Sequence, residues 1–162
     1  MAEVRLVVLD CDLTLWSHPD VSALRPPFRR VDPMTVRDDE GELVRLHEGV
    51  RETLEGLRER GILVSVASWN DPEPVHQLFR LFEIGGYFIH PKVEHHPRKG
   101  EMIRELIEDL ERDGVEIEAE EILYVHDKPR HLDGILRAVG RVKFKRFGVD
   151  LRRLEDILKL LS

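Results

Sequence analysis

Three short apolar runs, Val4 to Leu9, Ile62 to Ala67 and Glu121 to His126, each deliver a polar residue at their carboxyl end. The segments between them repeat with a helical period. Val50, Leu54 and Leu57 share a face over about 47 to 60, with Gly61 as a stop. Val75, Leu78, Phe79 and Phe82 do so over about 72 to 82, where Pro72 suits a first turn. Met102, Ile103, Leu106, Ile107 and Leu110 line a third helix from about Pro97 to Asp113. A short strand at Tyr87 to His90, a helix to about Val139, a strand near Val142 to Lys145 and a closing helix carrying Leu151, Leu154, Ile157, Leu158 and Leu161 complete the series. Strand and helix alternate, which predicts an α/β fold: a three-layer αβα, Rossmann-like parallel sheet covered on both faces.

The end of the first run carries the chemistry. Asp10-Cys11-Asp12-Leu13-Thr14 sets two carboxylates one residue apart where a buried strand gives out. Such groups repel and cost desolvation unless a cation or a reaction uses them. Side chains alternate along a strand, so both acids face one way only if the chain turns just after Asp10. One acid can then attack phosphorus, the other can protonate a leaving oxygen and activate water, and a hard divalent cation can share their oxygens. Thr14 offers a hydroxyl to orient the second acid. An acidic turn with Asp10 capping backbone amides is the plain alternative.

Partners follow in order. Ser68 closes the second run, and with the amides of Trp69 and Asn70 can donate to a phosphoryl oxygen. Lys99 opens the third helix, where ammonium and helix N-terminus favour the same anion. Asp127 ends the third run, in position to bind a metal. Taken singly, each reads as a cap or a solvated charge. Together they gather at the carboxyl ends of parallel strands, where open sheets bind ligands.

The set Asp10, Asp12, Thr14, Ser68, Lys99 and Asp127 resembles the four motifs of the haloacid-dehalogenase (HAD) superfamily. The stretches Asp10 to Trp16, Thr35 to Leu46 and Phe79 to His90 further resemble its magnesium-dependent phosphatase branch, which lacks a cap domain. The resemblance implies Asp10 as nucleophile, Asp12 as general acid/base, and Ser68 and Lys99 as phosphate binders. It implies Mg²⁺ held by Asp10, by the backbone carbonyl of Asp12 and by Asp127. The fourth motif usually has two adjacent acids and here reads His126-Asp127, which predicts a weaker hold on the ion.

With 162 residues the chain makes a single domain over 1–162, too short for a globular cap. The polar stretch at about 16–46 reads as an insertion whose Thr35 to Leu46 part forms a hairpin turning at Asp39-Glu40-Gly41, a flap over the site. Its Arg25, Arg29 and Arg30 are available to a substrate anion, although a solvated charge cluster accounts for any one of them. Net charge is −7 with bases and acids interspersed, which gives no nucleic-acid footprint. No stretch reads as a membrane span or signal peptide, and Cys11 is the single cysteine, so a cytoplasmic setting is the default expectation. Charged residues at 35% with one Asn and one Gln point to a thermophilic host.

His90, His95, His96 and His126 lack the spacing of a zinc site, and adjacent His95 and His96 are poor co-ligands. Loop imidazoles facing solvent or substrate are the simpler account. The leading function is thus a Mg²⁺-dependent phosphomonoester hydrolase with a phospho-Asp10 intermediate, acting on a small-molecule or protein phosphomonoester such as a sugar phosphate or a phosphotyrosine-like side chain. A non-catalytic binding protein on the same fold is the alternative. A receiver-type phosphoacceptor fits less well, because its acceptor would end the central third strand. Oligomeric state is not legible.

Overall fold

The computed structural model describes residues 3–161. The first run forms β1 (Leu6–Leu9), and after a long insertion come α1 (Val50–Glu59) and β5 (Leu63–Trp69). The insertion itself holds β2 (Arg29–Asp32), β3 (Thr35–Arg37) and β4 (Leu43–Arg45). Beyond β5 follow α2 (Pro72–Leu81), β6 (Lys92–Glu94), α3 (Lys99–Arg112), β7 (Ile122–His126), α4 (Leu132–Ala138), β8 (Lys143–Arg146) and α5 (Asp156–Leu160).

Strands pair in parallel in the order β6-β5-β1-β7-β8. The chain runs outward from β1 on one side, then returns to the other side through α3. β1 is therefore the point where strand order reverses, and a crevice opens at its carboxyl end.

Strand alternation sorts the core into two layers. Val7 and Leu9 of β1 pack with Leu54 and Leu57 of α1, Leu78 and Phe79 of α2, and Ile157 of α5. Leu6 and Val8 point the other way, against Met102, Ile103, Leu106 and Leu110 of α3 and Ile135 of α4. Burying each such side chain is worth about 1.5–3 kcal/mol before entropy is charged. By the same alternation Asp10 follows Leu6 and Val8 toward the α3 layer. Gly100 lets α3 sit there: a Cβ on it would lie 2.5 Å from the Gly134 carbonyl oxygen of α4. That close approach brings the first turn of α3 onto the end of β1.

Several elements differ from the sequence reading. Tyr87 to His90 is not a strand. Gly85–Tyr87 is a turn of 3-10 helix, Phe88 makes one isolated bridge to Val64, and the edge strand comes later as β6. His90 at φ +43 and Pro91 redirect the chain between them. The closing helix is only α5. Leu151 and Leu154 are still buried, but through turns in which Asp156 accepts the amides of Arg152 and Arg153.

The insertion is a three-stranded antiparallel sheet, β2-β3-β4, with Gly41 at φ +87 in the expected turn. Val36 and Val44 bury it against the α1 and α2 layer, and Arg51 of α1 bonds the carbonyls of Pro33 and Phe82. It docks beside the crevice: of residues 16–46, only Pro19 lines the cavity at the end of β1. Arg25 and Arg30 are committed to Glu40 and Glu83, and neither they nor Arg29 reach that cavity.

Candidate active site

The chain leaves β1 at Asp10 and turns back, with Thr14 and Leu15 donating their amides to the Cys11 carbonyl. Leu13 closes the turn at φ +64, an uncommon conformation for a residue with a side chain. The turn sets Asp10 and Asp12 on one cavity of about 90 Å³, whose floor they share with Ser68, Lys99 and Asp127. Five residues from three strand ends and one helix start thus converge at the switch point.

Asp10 is buried, 6% exposed, and Oδ1 takes two donors. Lys99 Nζ reaches it at 2.6 Å, and the Tyr124 hydroxyl bonds the same oxygen. Lys99, also 6% exposed, donates further to the Ala67 carbonyl at 2.8 Å and to the Tyr124 hydroxyl at 3.3 Å. All three ammonium protons are therefore used, the contact with Tyr124 being the longest. Burial and the neighbouring Asp10 charge push the Tyr124 phenol well above its usual range, so it serves as a donor.

Asp12 meets different company. Trp16 Nε1 donates to Oδ1 at 2.8 Å and Asn70 Nδ2 to Oδ2 at 2.7 Å. Burial raises its pKa to about 6, partly offset by the Trp16 bond. An acid so poised can hold its proton close to neutrality and release it just above. Burial, and next the Asp12 charge, push the Cys11 thiol up, which keeps it protonated beside Ser68.

Thr14 does not orient Asp12. Its hydroxyl is fully buried with no hydrogen-bond partner, and the work falls to Trp16 and Asn70. Thr14 and Asn70 both stand off the cavity wall, and the Asn70 amide is spent on the Glu94 carbonyl. Ser68 and Trp69 do line the cavity. Lys92, the other lysine nearby in sequence, is engaged with Asp109 on α3. His90 pairs with Asp113 and His96 with Glu94, His95 is exposed, and none of the three lines the cavity.

His126 is buried behind the site. Its ring stacks on Tyr124 at 5.7 Å and meets Phe144 edge-on at 6.5 Å, and Nδ1 has no partner. Burial lowers its pKa, so it packs as a neutral ring.

Sequence reasoning passed over Tyr124 and Trp16, and also His131, Lys128 and Arg130 at the cavity mouth. One signal was available for Tyr124: a phenol inside an otherwise aliphatic buried strand must find a partner.

The donor set suits a hard divalent cation. Asp10 and Asp127 line the same cavity, and burial followed by the Asp10 charge raises the Asp127 pKa. A cation between two such carboxylates removes that repulsion. Among the described residues no cluster of three or more His, Cys, Asp or Glu side chains forms a metal cage. The Trp16 and Asn70 bonds hold the Asp12 carboxyl in place, with one donor on each oxygen.

A profile of the acid phosphatase family matches residues 3–143. The chain belongs to that family. Human magnesium-dependent phosphatase 1 is 37% identical over 90 residues, 55% of this chain and 51% of that protein, so the chain spans about half the length of this curated relative. A HAD-superfamily hydrolase from Geobacter sulfurreducens superposes with a TM-score of 0.68 at 17% identity, covering 98% of this chain and 97% of the other. The 3-deoxy-D-manno-octulosonate 8-phosphate phosphatase of Moraxella catarrhalis, crystallised with magnesium, phosphate and sugar, superposes at 0.56 and 13% identity over 98% and 85%. The fold of this acid phosphatase family member is accordingly the HAD-like one. Among the described residues no helix is long and apolar enough to cross a membrane.

Proposed function

We propose that this chain hydrolyses phosphomonoesters by way of a phosphoryl group carried on Asp10, with Mg²⁺ as cofactor. One observation carries the reading: two carboxylates on one small cavity, one against an ammonium and the other protonated up to a pKa of about 6. Asp10 attacks phosphorus while the ester P–O bond breaks, and Asp12 gives its proton to the departing oxygen. Asp12, now a carboxylate, takes a proton from water as that water attacks the phosphorus of phospho-Asp10. Inorganic phosphate leaves, and both acids return to their starting states.

Ser68 is suited to hold a phosphoryl oxygen and Lys99 to set a positive charge beside the phosphoryl group, with Tyr124 keeping Asp10 in place. Asp10, Asp127 and the Asp12 carbonyl would hold Mg²⁺, which supplies positive charge between an anionic nucleophile and an anionic ester. With the β2-β3-β4 sheet docked to one side, the cavity accepts a phosphate presented on a sugar or on a protein side chain. The deciding experiment follows phosphate release from a panel of phosphomonoesters with MgCl₂ or with EDTA. Release that requires Mg²⁺ is expected, and no release from any ester in saturating Mg²⁺ overturns the reading.

A further inference from the structure

The cavity at the end of β1 is small, about 90 Å³, and opens to solvent, so the body of a substrate whose phosphoryl group sits beside Asp10, Lys99 and Asp127 extends onto the mouth. The mouth is built by Trp69 at the end of β5 and by Lys128, Arg130 and His131 after β7. Trp69 is 48% exposed, unusual for so large an apolar side chain. The Arg130 guanidinium lies 5.7 Å from its ring centroid, and Arg130 Nε donates to His131 Nε2 at 3.2 Å. Stacking of this kind fixes the guanidinium plane while leaving donors on its edge free.

Charge marks the mouth. The protein carries a net charge of −7, and several of its arginines elsewhere are ion-paired, as in Arg25–Glu40, Arg98–Glu101 and Arg112–Asp109. Among the described residues neither Lys128 nor Arg130 is ion-paired with a carboxylate, and both are exposed. The phosphoryl group has its own ammonium in Lys99 on the cavity floor. Lys128 and Arg130 are thus surplus to its needs and sit where the leaving group must lie.

We propose that Trp69, Lys128 and Arg130 form a subsite for a second anionic group, a carboxylate or another phosphate, on the alcohol portion of the substrate. This rests on the hydrolase reading of the same cavity and names its substrate class: phosphomonoesters of acids rather than of neutral alcohols. The ring of Trp69 covers the carbon skeleton, and the two cations take the acid.

Binding tests it without turnover. In Asp10→Asn with MgCl₂ present, titration calorimetry compares phosphoglycolate with ethyl phosphate and 4-carboxyphenyl phosphate with phenyl phosphate. The acid of at least one pair binds about tenfold or more tightly, the size of a charge-assisted hydrogen bond. Adding Lys128→Gln and Arg130→Gln, both exposed positions, brings that pair within about twofold and leaves the neutral ester's affinity unchanged. Equal affinities within both pairs, or equal losses for acid and neutral ester in the variant, overturn the subsite. Turnover of all four esters by the wild type is read separately: release from none of them overturns the hydrolase reading, while the binding result still decides the subsite.

Discussion

Asp10 and Asp12 leave the same turn two residues apart and enter opposite surroundings. Asp10 faces the α3 layer, where an ammonium and a phenol converge on one largely buried oxygen. Asp12, on the same cavity, is held by an indole N–H and a carboxamide, both neutral. A carboxylate that must attack is served by a compact charge beside it. One that must carry a proton is served by burial among neutral donors. The difference is made by Lys99 of α3 and Tyr124 of β7 on one side, and by Trp16 in the same turn and Asn70 just after β5 on the other. The two acids are chemically identical, so their roles are assigned by the fold.

The largest expected effect comes from removing the attacking oxygen. Asp10→Asn keeps the shape of the turn and lowers kcat by about 10⁴-fold or more, as loss of a nucleophile does. Thermal unfolding alongside checks that the fold persists, and turnover within tenfold of wild type breaks the comparison at its stronger end.

Lys99→Ala is next. It lowers kcat/KM by about a hundredfold or more and destabilises the chain by about 3–5 kcal/mol, because Asp10 is left buried without its partner. Lys99→Arg rescues little, since a planar fork cannot meet Asp10, the Ala67 carbonyl and Tyr124 together. Steady-state kinetics and urea titration read both.

Tyr124→Phe removes one donor from Asp10 and retains the ring against His126. We expect about a tenfold fall in kcat with KM nearly unchanged, as befits a residue that positions the nucleophile without touching substrate. A rise in KM with kcat intact would move Tyr124 to the binding side.

The smallest effect sharpens the Asp12 end. Trp16→Phe loses the hydrogen bond that holds down the Asp12 pKa, so that pKa moves further above its raised value of about 6. The protonated acid then persists to higher pH, and the pH at which first-step phosphoryl transfer falls off moves upward at saturating Mg²⁺. An unchanged or downward-shifted profile would mean that another group supplies the proton.

Much of this was legible in the sequence. Strand ends carrying Asp10, Ser68 and Asp127, with Lys99 opening a helix, were readable because apolar periodicity and chain order fix them locally. The parallel sheet followed from alternation alone. Tyr124 was not legible, because its bond to Asp10 spans 114 residues and depends on the register of β1 with β7. Thr14 was misjudged for the opposite reason: proximity in sequence favoured it, while the turn aimed Trp16 Nε1 at Asp12 instead. The strand at Lys92–Glu94 escaped because His90 bends the chain at positive φ, a choice composition does not encode. The docking of β2-β3-β4 beside the cavity likewise rests on Val36 and Val44, whose tertiary partners no local pattern names.

The central claim, that Asp10 carries the phosphoryl group, is tested most directly by rapid acid quench of Asp12→Asn mixed with an aryl phosphate and Mg²⁺. Loss of the base slows water attack on the acyl phosphate more than it slows departure of an aryl oxide. The account expects a hydroxylamine-sensitive phosphoryl group approaching one per chain, located by peptide mass on Asp10. Steady turnover with no acyl phosphate trapped at any time, or a phosphoryl group found on another residue, would contradict it.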